Sequence, residues 1–237
     1  MENNKINQKI SLPVAIIVAG FLIMIGIILT GGSKNTQTES KTLSEQVGVN
    51  KEEFNKCIED KDVQKILEET SMNADLAMKH LPQGERGTPY SVIIGKNGIK
   101  TEIRGAEGID AVKKLIEEVK SGKVTNEYKG EIPNVTENDH IIGDINAPII
   151  IVEYSDLECP YCKRFGEVMK QVIEESNGEV AWVYRHWVVH QGAIKKTVAS
   201  ECVAEIKGED AFFKYVDLIF GLMKTAEDEA NEANSQL

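Results

Sequence analysis

The chain is short of positive charge. Its 237 residues include 27 Lys and Arg against 38 Asp and Glu, a formal net charge of −11. A protein that grips nucleic acid by neutralising phosphates needs a basic face, so nucleic acid is not an expected partner. Aromatic residues are scarce, at 6%. No Gly-rich phosphate loop or dinucleotide fingerprint comes after a strand, so no cofactor is expected. No internal repeat sets a period, which excludes solenoids and propellers. Cysteine is sparse too: four in the whole chain are too few for a small disulfide-held scaffold. Disorder throughout is excluded by what is plentiful, 41% apolar residues. The acidic excess is concentrated in residues 126–237 and reads as a solvated surface.

The longest apolar run is near the N-terminus. No charged residue occurs between Lys9 and Lys34, and Leu12–Leu29 is apolar apart from Pro13, Gly20 and Gly26. With its flanks this run reaches roughly 20 residues, enough to cross a hydrocarbon core as a helix. Lys5 and Lys9 precede it, which keeps the N-terminus cytoplasmic and places the rest outside. The alternative is a cleaved signal peptide, whose apolar region is usually shorter. Either way the remainder lies in a compartment where disulfides persist. The expected organisation is a cytoplasmic N-terminus and membrane anchor over 1–33, a polar stalk over 34–41 and a globular part over 42–237.

Within the globular part, residues 43–81 show helical spacing and predict two or three helices. Thr88–Ile94 reads as a strand, Asn97-Gly98 as a hairpin turn and Ile99–Arg104 as the returning strand. A helix is expected next, over Ile109–Lys120. Residues 123–139 have no period and read as a flexible linker. Ile149–Tyr154 is a β-branched run of the buried-strand type. Cys159-Pro160-Tyr161-Cys162 then opens a helix to about Ser176, and Val180–Val189 predicts a third core strand. Residues 193–206 and 210–223 read as helices, and Glu227–Leu237 as a frayed acidic end.

The order strand, Cys-x-x-Cys, helix has a chemical meaning. A cysteine at a helix N-terminus faces unpaired N–H groups and the positive end of the macrodipole, which favour its thiolate. Pro160 suits the first helical turn, having no N–H to lose. Cys162 lies one turn on, so Cys159 is the candidate nucleophile and Cys162 the resolving thiol. Half of a zinc site is the competing reading. It needs a second ligand pair, and none occurs at the usual spacing, so no metal is expected. His186 and His190 read as structural or active-site-rim residues, and Trp182 and Trp187 as core or groove wall.

The segment Ile149–Lys163 (IIIVEYSDLECPYCK) resembles the active-site segment of the DsbA-like, thioredoxin-fold disulfide oxidoreductases. Tyr184-Arg185-His186 and Ser200-Glu201-Cys202 resemble segments downstream of it in bacterial members. Arg86-Gly87-Thr88-Pro89 resembles the segment with the family's cis-proline loop, and Gly105-Ala106-Glu107 with its helix resembles the family's end. The resemblance implies an α/β thioredoxin-like fold with a helical insertion. It also implies that Pro89, after Thr88, lies opposite the cysteines, and that Glu153 is a buried acid exchanging a proton with Cys162. The alternative for Glu153 is a solvated strand end, and Glu158 would oppose a Cys159 thiolate if close. Cys57 and Cys202 match positions in the insertion that could pair as a structural disulfide; two buried free thiols are the other reading.

The halves stand in reversed order. Residues 42–122 resemble the family's second half and 140–237 its first, so a circular permutation is expected, with a domain-swapped dimer as its rival. The function implied is an extracytoplasmic, single-pass membrane thiol–disulfide oxidoreductase. It would introduce disulfides into reduced exported polypeptides and be recycled by a redox partner. A reductase or isomerase, and a non-catalytic binding or chaperone module, are the alternatives.

Overall fold

The buried run Ile149–Ser155 sits at the centre of the sheet because every neighbour it needs is supplied from both directions along the chain. In the computed structural model, which describes residues 41–223, this run is strand β4. It is preceded in sequence by β1 (Tyr90–Gly95), β2 (Lys100–Arg104) and β3 (His140–Ile142), and succeeded by β5 (Val180–His186). The sheet order is β2-β1-β4-β5-β3. β4 runs antiparallel to β1, with Ser91 opposite Glu153, and parallel to β5, with Glu153 opposite Tyr184.

Helices cover both faces. They are α1 (Leu43–Gln46), α2 (Lys51–Asp60), α3 (Val63–Ala77), α4 (Ile109–Ser121), α5 (Pro160–Glu175), α6 (Ala193–Lys207) and α7 (Glu209–Gly221). Their starts reflect side-chain chemistry. Asn50 accepts from the Glu52 and Glu53 N–H groups to cap α2, and Asp62 accepts from Lys65 to cap α3. Gly122 takes the left-handed conformation that ends α4. Strand alternation then divides the core. Ile93, Ile151, Trp182 and Tyr184 point to one face, where Val112, Phe165, Met169 and Phe212 pack. Val92, Val152, Tyr154 and Val183 point to the other, against Ala74, Ala77 and Met78.

Three sequence expectations change. The run predicted as a strand to Val189 leaves the sheet after His186. There the Trp187 N–H turns to the Ser155 carbonyl, and the Val189 and His190 N–H groups turn to the Asp156 carboxylate. Strand β3, which the sequence did not announce, is three half-buried residues on the sheet edge. The segment 123–139 has no helix or strand, as expected of a linker, yet it is not free. Tyr128 is buried and its hydroxyl donates to the Ala77 carbonyl, while Arg185 holds the Pro133 and Asn134 carbonyls and the Asp139 carboxylate. Chain that satisfies buried groups at this many points is part of the packing.

Among the described residues, no helix is long and apolar enough to cross a membrane. The span expected at Leu12–Leu29, the stalk as far as Ser40 and the frayed end at Glu227–Leu237 lie outside the described residues.

Candidate active site

Helix α5 begins where β4 ends, and this places two thiols over the sheet. Cys159 is the N-cap residue, in extended conformation, and Pro160 occupies the first turn. Both thiols are free. Cys159 is nearly covered and Cys162 is fully buried, in contact with the same apolar cluster as Phe165. Beside them Tyr161 is more than half exposed, with the Arg164 guanidinium 5.1 Å from its ring.

The Thr88–Pro89 peptide is cis, and the Thr88 carbonyl lies 3.4 Å from the Cys159 sulfur. Hairpin β1–β2 thus brings a segment from 70 residues upstream against the N-terminus of α5. The Cys159 thiol is held far below the ordinary range, at about 5. A hydrogen bond from Cys162 is the main cause, with help from Thr88 and from the backbone N–H groups of Cys162 and Tyr161. Burial pushes the Cys162 thiol the other way, well above the ordinary range. The two sulfurs therefore differ in kind: one is a stable thiolate near neutral pH, the other a retained proton.

Glu153 has no solvent exposure. It projects from β4 on the same face as Trp182, whose indole N–H donates to Oε2 at 3.0 Å, while Oε1 has no partner. Burial raises its pKa to about 7. A carboxyl group poised near neutrality, whose charge is felt at Cys162, can give and take a proton there. The reading of Glu153 as a solvated strand end is set aside by this placement.

Glu158 does not stand unopposed beside Cys159, because Lys196 approaches its carboxylate at 2.5 Å. Cys57 and Cys202 are bonded to each other, joining α2 to α6. Trp182 is core and contacts the acid. Trp187 is half-buried on the opposite face.

Asp156 is a residue whose role the sequence left unread. It is fully buried and accepts from the N–H groups of Glu158, Val189 and His190, at 2.7, 2.7 and 2.9 Å. His190 Nδ1 lies 3.1 Å from Oδ1, the oxygen that accepts from Glu158. It fastens the turn before Cys159 to the loop after β5. The available signal was its position, three residues before the first cysteine, but two of its partners, Val189 and His190, are more than 30 residues away.

Residues 135–236 match a family model described as Thioredoxin. The chain is 31% identical over 78 residues to the Na(+)/H(+) antiporter NhaA 1 of Mycobacterium sp. (strain KMS), a match covering 33% of this chain and 13% of the antiporter. It is 33% identical over 91 residues to NhaA 3 of Salinispora tropica, covering 37% and 13%. A protein of Rickettsia bellii named as a protein-disulfide oxidoreductase is 28% identical over 116 residues, covering 46% of this chain and 40% of that one. The chain thus spans only a small part of the length of the antiporters it matches. The family match supports a thioredoxin-like domain, and the Rickettsia relative is similar over a stretch of comparable length.

Proposed function

We propose that this chain is a DsbA-like oxidase that introduces disulfides into reduced exported polypeptides on the outer side of the membrane. The observation that carries this reading is the unequal thiol pair, Cys159 low and Cys162 high, beside Thr88-Pro89. A thiolate that stable favours the dithiol form, and so makes the disulfide form oxidising. The oxidase named in the family resemblance has an attacking thiol near 3.5 and thioredoxin one near 7. The value of about 5 here lies between them.

The reaction starts from the Cys159–Cys162 disulfide. A substrate thiolate attacks the Cys159 sulfur, and the bond to Cys162 breaks. Cys162 leaves with the electron pair and takes a proton, for which Glu153 is the nearby donor. A second substrate thiolate then attacks the substrate sulfur of the mixed disulfide. Cys159 departs as the stable thiolate. The substrate has lost two electrons and the enzyme has gained them, and a redox partner must remove them before the next turnover.

The reversed order of the halves fits a circular permutation, since β1 from the first half and β4 from the second lie side by side in one sheet. Anchoring by residues 12–29, with the catalytic part outside the cytoplasm, completes the proposal. An alkaline phosphatase fusion after residue 41 would be active only if that part is exported.

The deciding experiment is the reduction potential of the Cys159–Cys162 pair in glutathione buffers. A value near −120 mV supports the oxidase, and one near −270 mV makes the chain a reductase. Cys159→Ala should abolish oxidation of a reduced protein substrate. Retained activity in that variant would reject the assignment and leave a binding or chaperone module.

A further inference from the structure

Three side chains that the thiol chemistry does not use converge between the sheet edge and α6. His140 opens β3, His186 ends β5 and Glu201 lies on α6. Because His140 pairs with Tyr184 across the strands, His140 and His186 are diagonal neighbours on one face. His140 Nε2 lies 3.3 Å from Glu201 Oε1, and His186 Nε2 lies 3.7 Å from the same oxygen. One ligand atom from each of the three falls within 4.8 Å of the others. Four ligands at about 2.0–2.1 Å around a tetrahedral ion stand about 3.3 Å apart, so two of these separations are already close to a coordination edge.

We propose that His140, His186 and Glu201 bind a divalent transition cation of the zinc type, with the fourth position open to the adjoining cavity. That cavity, of about 220 Å³, is also lined by Glu69, Asn73 and Asp139. Two imidazoles among three ligands favour a borderline cation such as Zn²⁺ over calcium or magnesium, which prefer oxygen alone.

The surroundings of His140 resemble those of a positioned ligand. Its second nitrogen, Nδ1, faces Glu209 at 3.0 Å, and its ring stacks on Phe212 with centroids 3.5 Å apart. A carboxylate on the far nitrogen fixes the tautomer and orientation of a metal-binding histidine. Ser200 Oγ, 3.0 Å from His186 Nε2, keeps its bond to the Thr197 carbonyl when that nitrogen is taken by the cation. The competing occupant is a proton on His140, whose two nitrogens lie between the Glu201 and Glu209 carboxylates.

The test uses untagged protein carrying Cys159→Ser and Cys162→Ser, which removes the dithiol as a rival ligand. Equilibrium dialysis against Zn²⁺ should give one ion per chain, and zinc should raise the melting temperature. Substitution with Co²⁺ should give a tetrahedral ligand-field band without a thiolate charge-transfer band. His140→Gln and Glu201→Gln should each weaken zinc binding by more than about tenfold, and Glu209→Gln, which spares all three ligands, by about tenfold. Absence of stoichiometric zinc overturns the proposal and leaves the proton as the occupant. Zinc bound equally well by the His140→Gln and Glu201→Gln variants also overturns it. Glu209→Gln keeps the ligand set, so its graded loss separates a site effect from unfolding.

Discussion

Glu153 and Cys159 titrate in opposite senses, so the pH dependence of stability reports on the site. The Glu153 pKa is raised to about 7 in the folded protein, against an ordinary value near 4.3. The native state therefore holds a proton that the unfolded chain has lost, and stability falls as pH rises from about 4.5 to 7. The shift corresponds to roughly 3–4 kcal/mol. Cys159 is depressed to about 5, below an ordinary thiol, so in the dithiol form it adds stability as pH rises from about 5 towards 8.5. Of these two groups only Glu153 titrates in the disulfide form, while buried His186, lowered to about 4, adds a slope of the opposite sign up to about pH 6.5 in either form. In chemical denaturation the oxidised protein should lose stability relative to its Glu153→Gln variant between pH 5 and 7. A constant difference between the two would rule out titration of Glu153 in this window. The reduced protein should gain stability relative to the oxidised one as pH rises from about 5 towards 8.5. Asp156 makes a different prediction at the same scale. Removing its carboxylate leaves three N–H groups without their acceptor. Asp156→Ala should therefore cost about 3 kcal/mol or more and lower the rate of substrate oxidation, because the turn leading into Cys159 loses its tether. Denaturant midpoints and a turnover assay on one preparation would check both.

Elements with a strong period were legible from the sequence, and elements held by distant partners were not. Helices α4 and α5 were found by their apolar stripes, and the β1–β2 turn by Asn97-Gly98, where Gly98 has φ +82°. Strand β3 has only three half-buried residues and no alternation to read. The end of β5 was missed because Trp187–Val189 continue the apolar run, while their N–H groups are claimed by Ser155 and Asp156. The cysteine pair was legible because its chemistry is local. His140 and Glu201 were not, since 61 residues separate them. The segment 123–139 is the clearest case of tertiary override. Its composition is that of a flexible connector, but its anchors are carbonyls and carboxylates taken up by Tyr128 and Arg185. Gly130 tests this. A Cβ there would stand 2.2 Å from the Ala77 carbonyl oxygen and 2.4 Å from the Tyr128 hydroxyl. In a free linker Gly130→Ala is neutral. In the packed one it should destabilise by about 1–3 kcal/mol, with Tyr128 becoming more exposed. Urea unfolding and tyrosine fluorescence would distinguish the two outcomes.

At the scale of the whole molecule, the question is whether one chain completes its own sheet. The two halves meet along β1 and β4, from Tyr90 opposite Tyr154 to Gly95 opposite Ile149. A swapped dimer would make the same pairings between two chains, so the sheet alone does not separate the alternatives. The disulfide does. Cys57 belongs to the first half and Cys202 to the second, 145 residues apart. Within one chain the bond closes a long loop and restricts the unfolded state, a stabilisation of up to about 5 kcal/mol in the chain-entropy treatment. Paired Cys57→Ser and Cys202→Ser substitution should lower the melting temperature while leaving the reduction potential of Cys159–Cys162 unchanged. In a swapped dimer the same two sulfurs come from different chains, and the bond is an intermolecular cross-link. Non-reducing denaturing electrophoresis of residues 34–237 therefore gives a direct answer. A self-completed fold runs as a monomer that slows on reduction, because opening the loop lets the chain expand. A swapped one runs as a covalent dimer that collapses to monomer on reduction. Self-closure is the expected outcome, since the tether keeps the halves at a high effective concentration for each other. A band at twice the mass, absent from the Cys57→Ser variant, would replace the permuted monomer with an exchange of halves between chains.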